Sequence, residues 1–592
     1  MDNESAKVEN RLSGIAVSAG SACGKAFVVK RKAAHIPLYD IAASQIDGEI
    51  KRFEQSLLKT RTDIDALKQE LSQKIGEAEA AIFDAHILVL EDVAIINETY
   101  ASLRKSFRNV ETCYIEVIDR FVAAFEQIDD PFMRERVADI RDVSRRVINN
   151  LLGYEEKASL VLGEPAILVS KDFTPSDFAV VDKTKVLGIL TEKGSLTSHT
   201  AILARSLRVP CVIGIDVESE NIKNGDEILL DGYKGHAFIS PSEEILKKYT
   251  EIASIHREIE AIFDTSLPFP SETTDGRKVG LCLNIGSAAD MSDNAVKYSD
   301  GVGLFRTESI FLDLDDFPSE EEQFTAYRDA VIKMNGKPTI IRTLDLGGDK
   351  MMPSFFNNYS KHEDNPFMGY RALRFCLDHV DVFTAQLKAI LRASAFGEVK
   401  ILYPMISGIN ELIRANDMLE QAKLALKNEN QKFDEHVKVG VMIEVPSAAM
   451  IIDILAEHCD FFSIGTNDLI QYLLAVDRVN DHVAHLYNPA NPAVIRMLKK
   501  IIRDGKEAGL EVSVCGEIAA DPIFAMLLIG MGVDSLSMSA GAVSEIKFML
   551  RKSDYKSLQA MSEEALLQKC SRDILTVLRR FRNDIIKQYI KI

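Results

Sequence analysis

The stretch VGVMIEVPSAAMIIDILAEHCDFFSIGTND, residues 439–468, holds the pattern on which the fold turns. It opens on an apolar run, Val439 to Glu444, of strand length and closed by a carboxylate. A helical stretch follows, and then a second apolar run, Phe462 to Gly465, which leads into Thr466-Asn467-Asp468. Continuous apolar runs mark strands covered on both faces, and strands joined through a helix lie parallel. Both strands also carry their polar groups at the carboxyl end.

Working outward, the same unit recurs. Eight short apolar strands alternate with helical stretches: Val279–Asn284, Val302–Arg306, Thr339–Thr343, Ile401–Met405, Val439–Glu444, Phe462–Gly465, Val512–Cys515 and Ser535–Ser539. Eight β-then-α units in about 260 residues fit a (β/α)8 barrel. An open doubly wound sheet is the main alternative and suits this count less well.

Towards the N-terminus the texture changes. Leu12 to Val29 reads as two short strands around a turn marked by Gly14, Gly20 and Gly24. From Ile46 the apolar positions Ile50, Phe53, Leu57, Ile64, Leu67, Leu71 and Ile75 fall at helical spacing. Helical patterns continue through 81–92, 113–125 and 137–152, as expected of antiparallel helical hairpins. Strand-like runs return at Ala166–Val169, Phe178–Val181, Val186–Leu190, Cys211–Ile215 and Ile228–Leu230. The helices therefore read as an insertion into an α/β domain that begins before them. A charged helix over Ser242–Phe263 and a polar, Pro-bearing stretch to Asp275 read as a linker.

Composition sets the outer bounds. A chain of 592 residues with 46% apolar and 27% charged residues is globular and large enough for two to four domains. The net charge of −19 argues against nucleic acid or an anionic membrane as the main partner. The opening MDNESAKVEN lacks the apolar core of a signal peptide, and Pro522 to Val533 is too short to span a bilayer. No membrane insertion is expected. Eight scattered cysteines without a CxxC pair suit a reduced, cytoplasmic setting.

A closed barrel brings the carboxyl ends of its strands to one rim, where active sites of this fold lie. Arg306 and Arg342 end two strands, and Arg478 lies beyond a third; their planar forks match phosphate or carboxylate. Glu444 and Asp468 are hard oxygen ligands suited to Mg²⁺, and Asn467 can orient a substrate by neutral hydrogen bonds. The set implies a small, anionic, metal-chelating substrate.

In the other half, Gly194-Ser195-Leu196-Thr197-Ser198-His199 follows a strand and opens a helix, with Thr197 and Ser198 as candidate N-caps. A histidine in the first turn meets the positive end of the helix dipole, which disfavours imidazolium and stabilises an attached phosphate. A covalent phosphohistidine at His199 suits that position.

These residues fall in recognisable motifs. TSHTAILARSLRVPCVIG (197–214) resembles the phosphohistidine motif of enzymes that use phosphoenolpyruvate, and DFFSIGTNDLIQY (460–472) through Asp477 and Arg478 resembles their second motif. GIAVSAGSACGKA (14–26), FRTE (305–308), IRTLDLGGDK (341–350) and NPFMGYRALR (365–374) are similar to Enzyme I of bacterial phosphotransferase systems. The resemblance runs in family order over nearly the whole chain.

It implies an α/β protein in four parts. Residues 1–32 and 151–241 form a swivelling phosphohistidine domain, and 33–150 an inserted helical subdomain that docks the histidine phosphocarrier protein HPr. Residues 242–275 form a linker helix and hinge, and 276–592 a phosphoenolpyruvate-binding barrel that also makes a homodimer. It further implies that His199 takes phosphate from phosphoenolpyruvate, releasing pyruvate, and passes it to HPr as the first step of sugar uptake. Arg306, Arg342, Arg371, Asn467, Asp468 and Arg478 then bind substrate, Glu444 and Asp468 hold Mg²⁺, and Cys515 protonates the enolpyruvate carbon. Ser195 and Ala19 depart from the family pattern, which usually has glycine and proline there. The related pyruvate phosphate dikinases and phosphoenolpyruvate synthases need a nucleotide-binding domain for which 592 residues leave no room. A nitrogen-branch Enzyme I would add a sensory domain before Leu12, and an inactive paralogue would have lost His199, Cys515 or a metal ligand.

Overall fold

Strands laid down before residue 30 pair with strands laid down after residue 165. The structure, a computed structural model, describes residues 11–29, 36–74, 82–126, 131–154, 162–174, 177–178, 181–194, 198–207, 209–217, 220–312, 316–347, 365–478, 480 and 482–589. The chain divides into two compact units, residues 1–255 and 256–592.

In the first unit, β1 (Arg11–Ser13), β2 (Ile15–Ser18) and β3 (Ser21–Val28) join β4 (Ala166–Ser170), β5 (Val186–Thr191), β6 (Cys211–Ile213), β7 (Glu227–Asp231) and β8 (His236–Ile239) in one sheet. Its order is β1-β8-β7-β3-β4-β5-β6-β2. Strand β3 lies parallel to β4 and antiparallel to β7, so the early strands sit inside the sheet's hydrogen-bond ladder rather than beside it.

Between β3 and β4 run the helices α1 (Ile46–Lys74), α2 (Ile82–Leu90), α3 (Val93–Ser106), α4 (Val110–Glu126) and α5 (Pro131–Leu152). The helical spacing of the sequence is spent on burial: Phe53, Ile64 and Leu71 of α1 are fully covered, in one apolar cluster with Val117 of α4 and Val143 of α5. Helix α3 is an addition to the sequence reading. It starts at Asp92, whose carboxylate accepts from the N–H groups of Ala94 (2.8 Å) and Ile95 (3.2 Å), an N-cap that ends the preceding turn.

Three strand expectations change. Strand β8 and the split of the first segment into three strands are added. Asp177 and Phe178 are helical, not the start of a strand; residues 179 and 180 lie outside the described residues. The reason is local: the Asp177 carboxylate accepts from the Thr174 N–H at 2.7 Å and its hydroxyl at 3.0 Å, a helix-start pairing that overrides the apolar run after it. Helix α6 (His199–Leu207) follows β5, and α7 (Glu243–Asp264) runs across the boundary of the two units.

The second unit is a closed barrel of eight parallel strands: β9 (Gly280–Ile285), β10 (Val302–Phe305), β11 (Thr339–Arg342), β12 (Val399–Tyr403), β13 (Lys438–Ile443), β14 (Phe461–Ile464), β15 (Glu511–Val514) and β16 (Ser535–Met538). Strand β16 pairs with β9, which leaves no open edge. Leu304, Ile340, Leu402, Met442, Phe461 and Cys515 pack together as a buried cluster of their own, so the barrel is filled rather than a pore. Among the described residues no helix is long and apolar enough to cross a membrane.

Candidate active site

A cavity of about 430 Å³ opens at the carboxyl end of the barrel strands. Arg306 enters it just after β10, Arg342 from the end of β11, and Glu444 just after β13. Asn467 and Asp468 come from the first turn of α8 (Thr466–Leu474), and Arg478 and Cys515 complete the set. Eight of the nine barrel and histidine residues named from sequence are barrel residues, and seven of those line this one cavity.

The arginines differ in their freedom. Arg306 is exposed and has no ion-pair partner among the described residues. Arg342 is buried, pairs with Glu308, and lies 2.8 Å from Asp345 Oδ2. Burial opposes its charge, but Glu308, Asp345 and Glu444 outweigh that and keep the guanidinium protonated. Arg478 approaches Asp468 Oδ1 at 4.0 Å. Arg371 is placed differently from its expected role. It is fully buried and does not line the cavity; its guanidinium lies 2.7 Å from Asp345 Oδ1 and 3.4 Å from Asp468 Oδ2.

Four buried carboxylates share the site with these arginines. Glu308, Asp345, Glu444 and Asp468 are all buried beside only two buried arginines, Arg342 and Arg371; Arg306 and Arg478 add their charge from the more open side of the cavity. Burial, and then repulsion from Asp468 and Asp345, pushes the Glu444 carboxyl well above the usual carboxylate range, while Arg342 and Arg371 pull it down. Glu444 Oε1 accepts from the Met405 N–H at 2.7 Å. Its second oxygen lies so close to Gly465 that a Cβ there would stand 2.6 Å from it and push the carboxylate aside. Asp468 Oδ1 is buried and receives no hydrogen bond from the described residues.

Glu444 and Asp468, two buried carboxylates in one cavity, one with an oxygen that accepts no hydrogen bond from the described residues, suit a divalent cation. Among the described residues no three His, Cys, Asp or Glu side chains cluster to enclose a metal. Two carboxylates are enough for Mg²⁺, which keeps water and substrate oxygens in its remaining positions.

The Cys515 thiol is buried at the cavity wall and lies 3.6 Å from the Ile464 carbonyl. Burial raises its pKa; Ser463, Arg342 and Arg306 oppose this and Glu444 adds to it, with the net shift upward. The thiol thus stays protonated at neutral pH. Glu517, for which the sequence suggested no role in binding, clamps Asn467: its Oε1 accepts from Nδ2 at 3.0 Å and its backbone N–H donates to Oδ1 at 3.0 Å. Glu308, Asp345 and Glu517 all sit in strand-end motifs; counting the rim's charges, rather than its ligands, is the signal that points to them.

His199 stands apart, in the first unit, as the first residue of α6. Ser198 precedes it, and its hydroxyl accepts from the Ala201 N–H at 3.4 Å, which is the N-cap geometry expected. Ser195 and Thr197 lie outside the described residues.

Known proteins match this arrangement along its length. Residues 13–136 match the N-terminal domain of PEP-utilising enzymes, residues 162–235 their mobile domain, and residues 263–555 their PEP-binding domain. A phosphoenolpyruvate-protein phosphotransferase of Listeria monocytogenes is 38% identical over 96% of this chain and 99% of its own. The chain belongs to the phosphoenolpyruvate-protein phosphotransferase family. Members from Haemophilus influenzae (38% identical) and Bacillus subtilis (37%) likewise cover 96% of this chain and 99% of their own. In this family the mobile-domain match contains His199 and the PEP-binding match contains every cavity residue described above.

Proposed function

We propose that the chain transfers phosphate from phosphoenolpyruvate to His199, and from there to a histidine of the phosphocarrier HPr, releasing pyruvate. The observation that carries this reading is the cavity, which joins three arginines, three buried carboxylates and a buried thiol on one barrel rim.

Each group has a task. Arg306, Arg342 and Arg478 bind the phosphate and carboxylate of the substrate, and Asn467 orients it. Glu444 and Asp468 would hold Mg²⁺, which would supply charge neutralisation for the phosphoryl group. A ring nitrogen of His199 attacks phosphorus as the bond to the enol oxygen breaks. The Cys515 thiol then gives its proton to the terminal carbon of enolpyruvate, forming pyruvate, and is reprotonated from solvent. Arg371, one layer below, contributes positive charge and holds Asp468 rather than meeting the substrate face directly.

The remaining expectations belong to this same reading: HPr docks on the helices of residues 33–150, the barrel makes a homodimer, and the work is done in the cytoplasm. Incubation with ³²P-labelled phosphoenolpyruvate and Mg²⁺ tests it. The expected product is an acid-labile, base-stable phosphate on His199; label on another residue, or full labelling of His199→Ala, would sink the reading.

A further inference from the structure

Asp345 is fully buried and does not line the cavity described above, yet it lies at the centre of the ionic floor. One carboxylate oxygen, Oδ2, faces Arg342 Nη1 at 2.8 Å. The other, Oδ1, accepts from Arg371 Nη2 at 2.7 Å and Nε at 3.2 Å. Arg371 Nη2 reaches onward to Asp468 Oδ2 at 3.4 Å. The Asp468 oxygen left over, Oδ1, is the one without a hydrogen bond from the described residues.

The backbone around Asp345 is fixed from several sides. The Leu344 N–H donates to Gln386 Oε1 at 2.9 Å, and Gln386 Nε2 donates in turn to the Tyr327 hydroxyl at 3.2 Å. The Thr343 N–H donates to the Leu402 carbonyl at 3.0 Å. Gly347 has φ +112°, and a Cβ there would stand 2.6 Å from Arg371 Cβ, so the chain is shaped to admit Arg371 beneath the floor.

We infer that Asp345 is a positioning residue: it sets the spacing of Arg342 and Arg371 and, through Arg371, aims Asp468 Oδ1 at the metal position. A carboxylate is needed because Arg342 and Arg371 are cations in a buried setting, where losing one partner leaves charge uncompensated. The inference rests on the reading of Glu444 and Asp468 as the metal-holding pair. Groups that orient metal ligands typically matter by about 10- to 100-fold in affinity.

The test uses the full chain and Mn²⁺ in the presence of oxalate, a planar mimic of enolpyruvate, with free Mn²⁺ followed by EPR. Asp345→Asn keeps the shape and removes the charge. Its expected effect is a loss of Mn²⁺ affinity of about 10- to 100-fold, with exchange of phosphate between His199 and phosphorylated carrier unchanged. A folded Asp345→Asn protein with wild-type Mn²⁺ affinity would overturn the inference. Should that variant unfold, Arg371→Lys keeps the charge but loses the fork; the same loss of affinity is expected, and wild-type affinity would overturn the inference equally. The two readings separate cleanly. Wild-type Mn²⁺ binding in Glu444→Ala and Asp468→Ala removes the metal reading itself, whereas loss in those two alone removes only the role of Asp345.

Discussion

Glu517 holds both ends of the Asn467 amide, accepting from Nδ2 with its side chain and donating to Oδ1 from its backbone, each at 3.0 Å. The amide therefore has one orientation, with its second N–H available to a substrate oxygen. Glu517→Ala removes the acceptor and frees the amide to rotate. Loss of one hydrogen bond to a charged group is worth about 1.5–3 kcal/mol, so kcat/KM for phosphoenolpyruvate should fall about 10- to 100-fold. Thermal stability should hardly change, because the side chain is exposed. Steady-state pyruvate release beside a melting curve checks both halves.

Glu444→Ala and Asp468→Ala should each slow pyruvate formation by about 10³-fold or more, the several kcal/mol that a metal supplies to charge development. Chelation of divalent ions should do the same to the wild type, and added Mg²⁺ should restore it. Activity that persists in chelator would exclude the assignment.

Cys515 gives the reaction a pH limit of known sign. Burial raises the thiol pKa, so the proton-donating form is full at neutral pH and is lost only as pH climbs past the ordinary thiol range. Pyruvate formation should therefore hold through the ordinary thiol range and fall only above it. Cys515→Ser, a poorer acid, should lower the rate at every pH and remove that alkaline limb. Wild-type kinetics in Cys515→Ala would refute the role.

Division of the chain should divide the reaction. A fragment ending near Phe263 should exchange phosphate with phosphorylated carrier and fail to take it from phosphoenolpyruvate. Phe263 packs against Phe548, with ring centroids 5.1 Å apart, so that fragment exposes an apolar ring that a shorter one, ending at Ile255, does not. The shorter fragment should be the more soluble of the two. Direct labelling of either by phosphoenolpyruvate would place the substrate site outside the barrel.

Much of this was legible in the sequence, for physical reasons that differ from place to place. The barrel strands declared themselves because each is a short apolar run with its polar group at one end, as in Val439 to Glu444. Phe178 misled because Phe-Ala-Val-Val is a good strand by composition, while the Thr174–Asp177 pairing that turns it into a helix start is only two polar residues. Helix α3 was missed although its buried Ile95, Thr99 and Leu103 recur every fourth residue, because the polar Thr99 interrupts the apolar stripe. Within the site, ligands and arginines could be named from chemistry alone. Their supports could not: the Glu517–Asn467 contact joins residues 50 apart in sequence, and the depth of Arg371 depends on what packs above it.

The interleaved sheet of the first unit has a consequence for how the chain is made. Arg11 pairs with Phe238, and Ser13 with His236, across the whole length of the helical insertion. At about 5–20 residues per second, the ribosome leaves the first strand waiting on the order of 10–50 s for its partner. The helices between, rich in local contacts, emerge sooner and are free to fold first. They would then hold the two ends of the unfinished sheet near each other, shortening the loop that must close. Nascent chains stalled before and after residue 239 should accordingly differ in protease resistance within residues 11–28, while the helical segment resists in both.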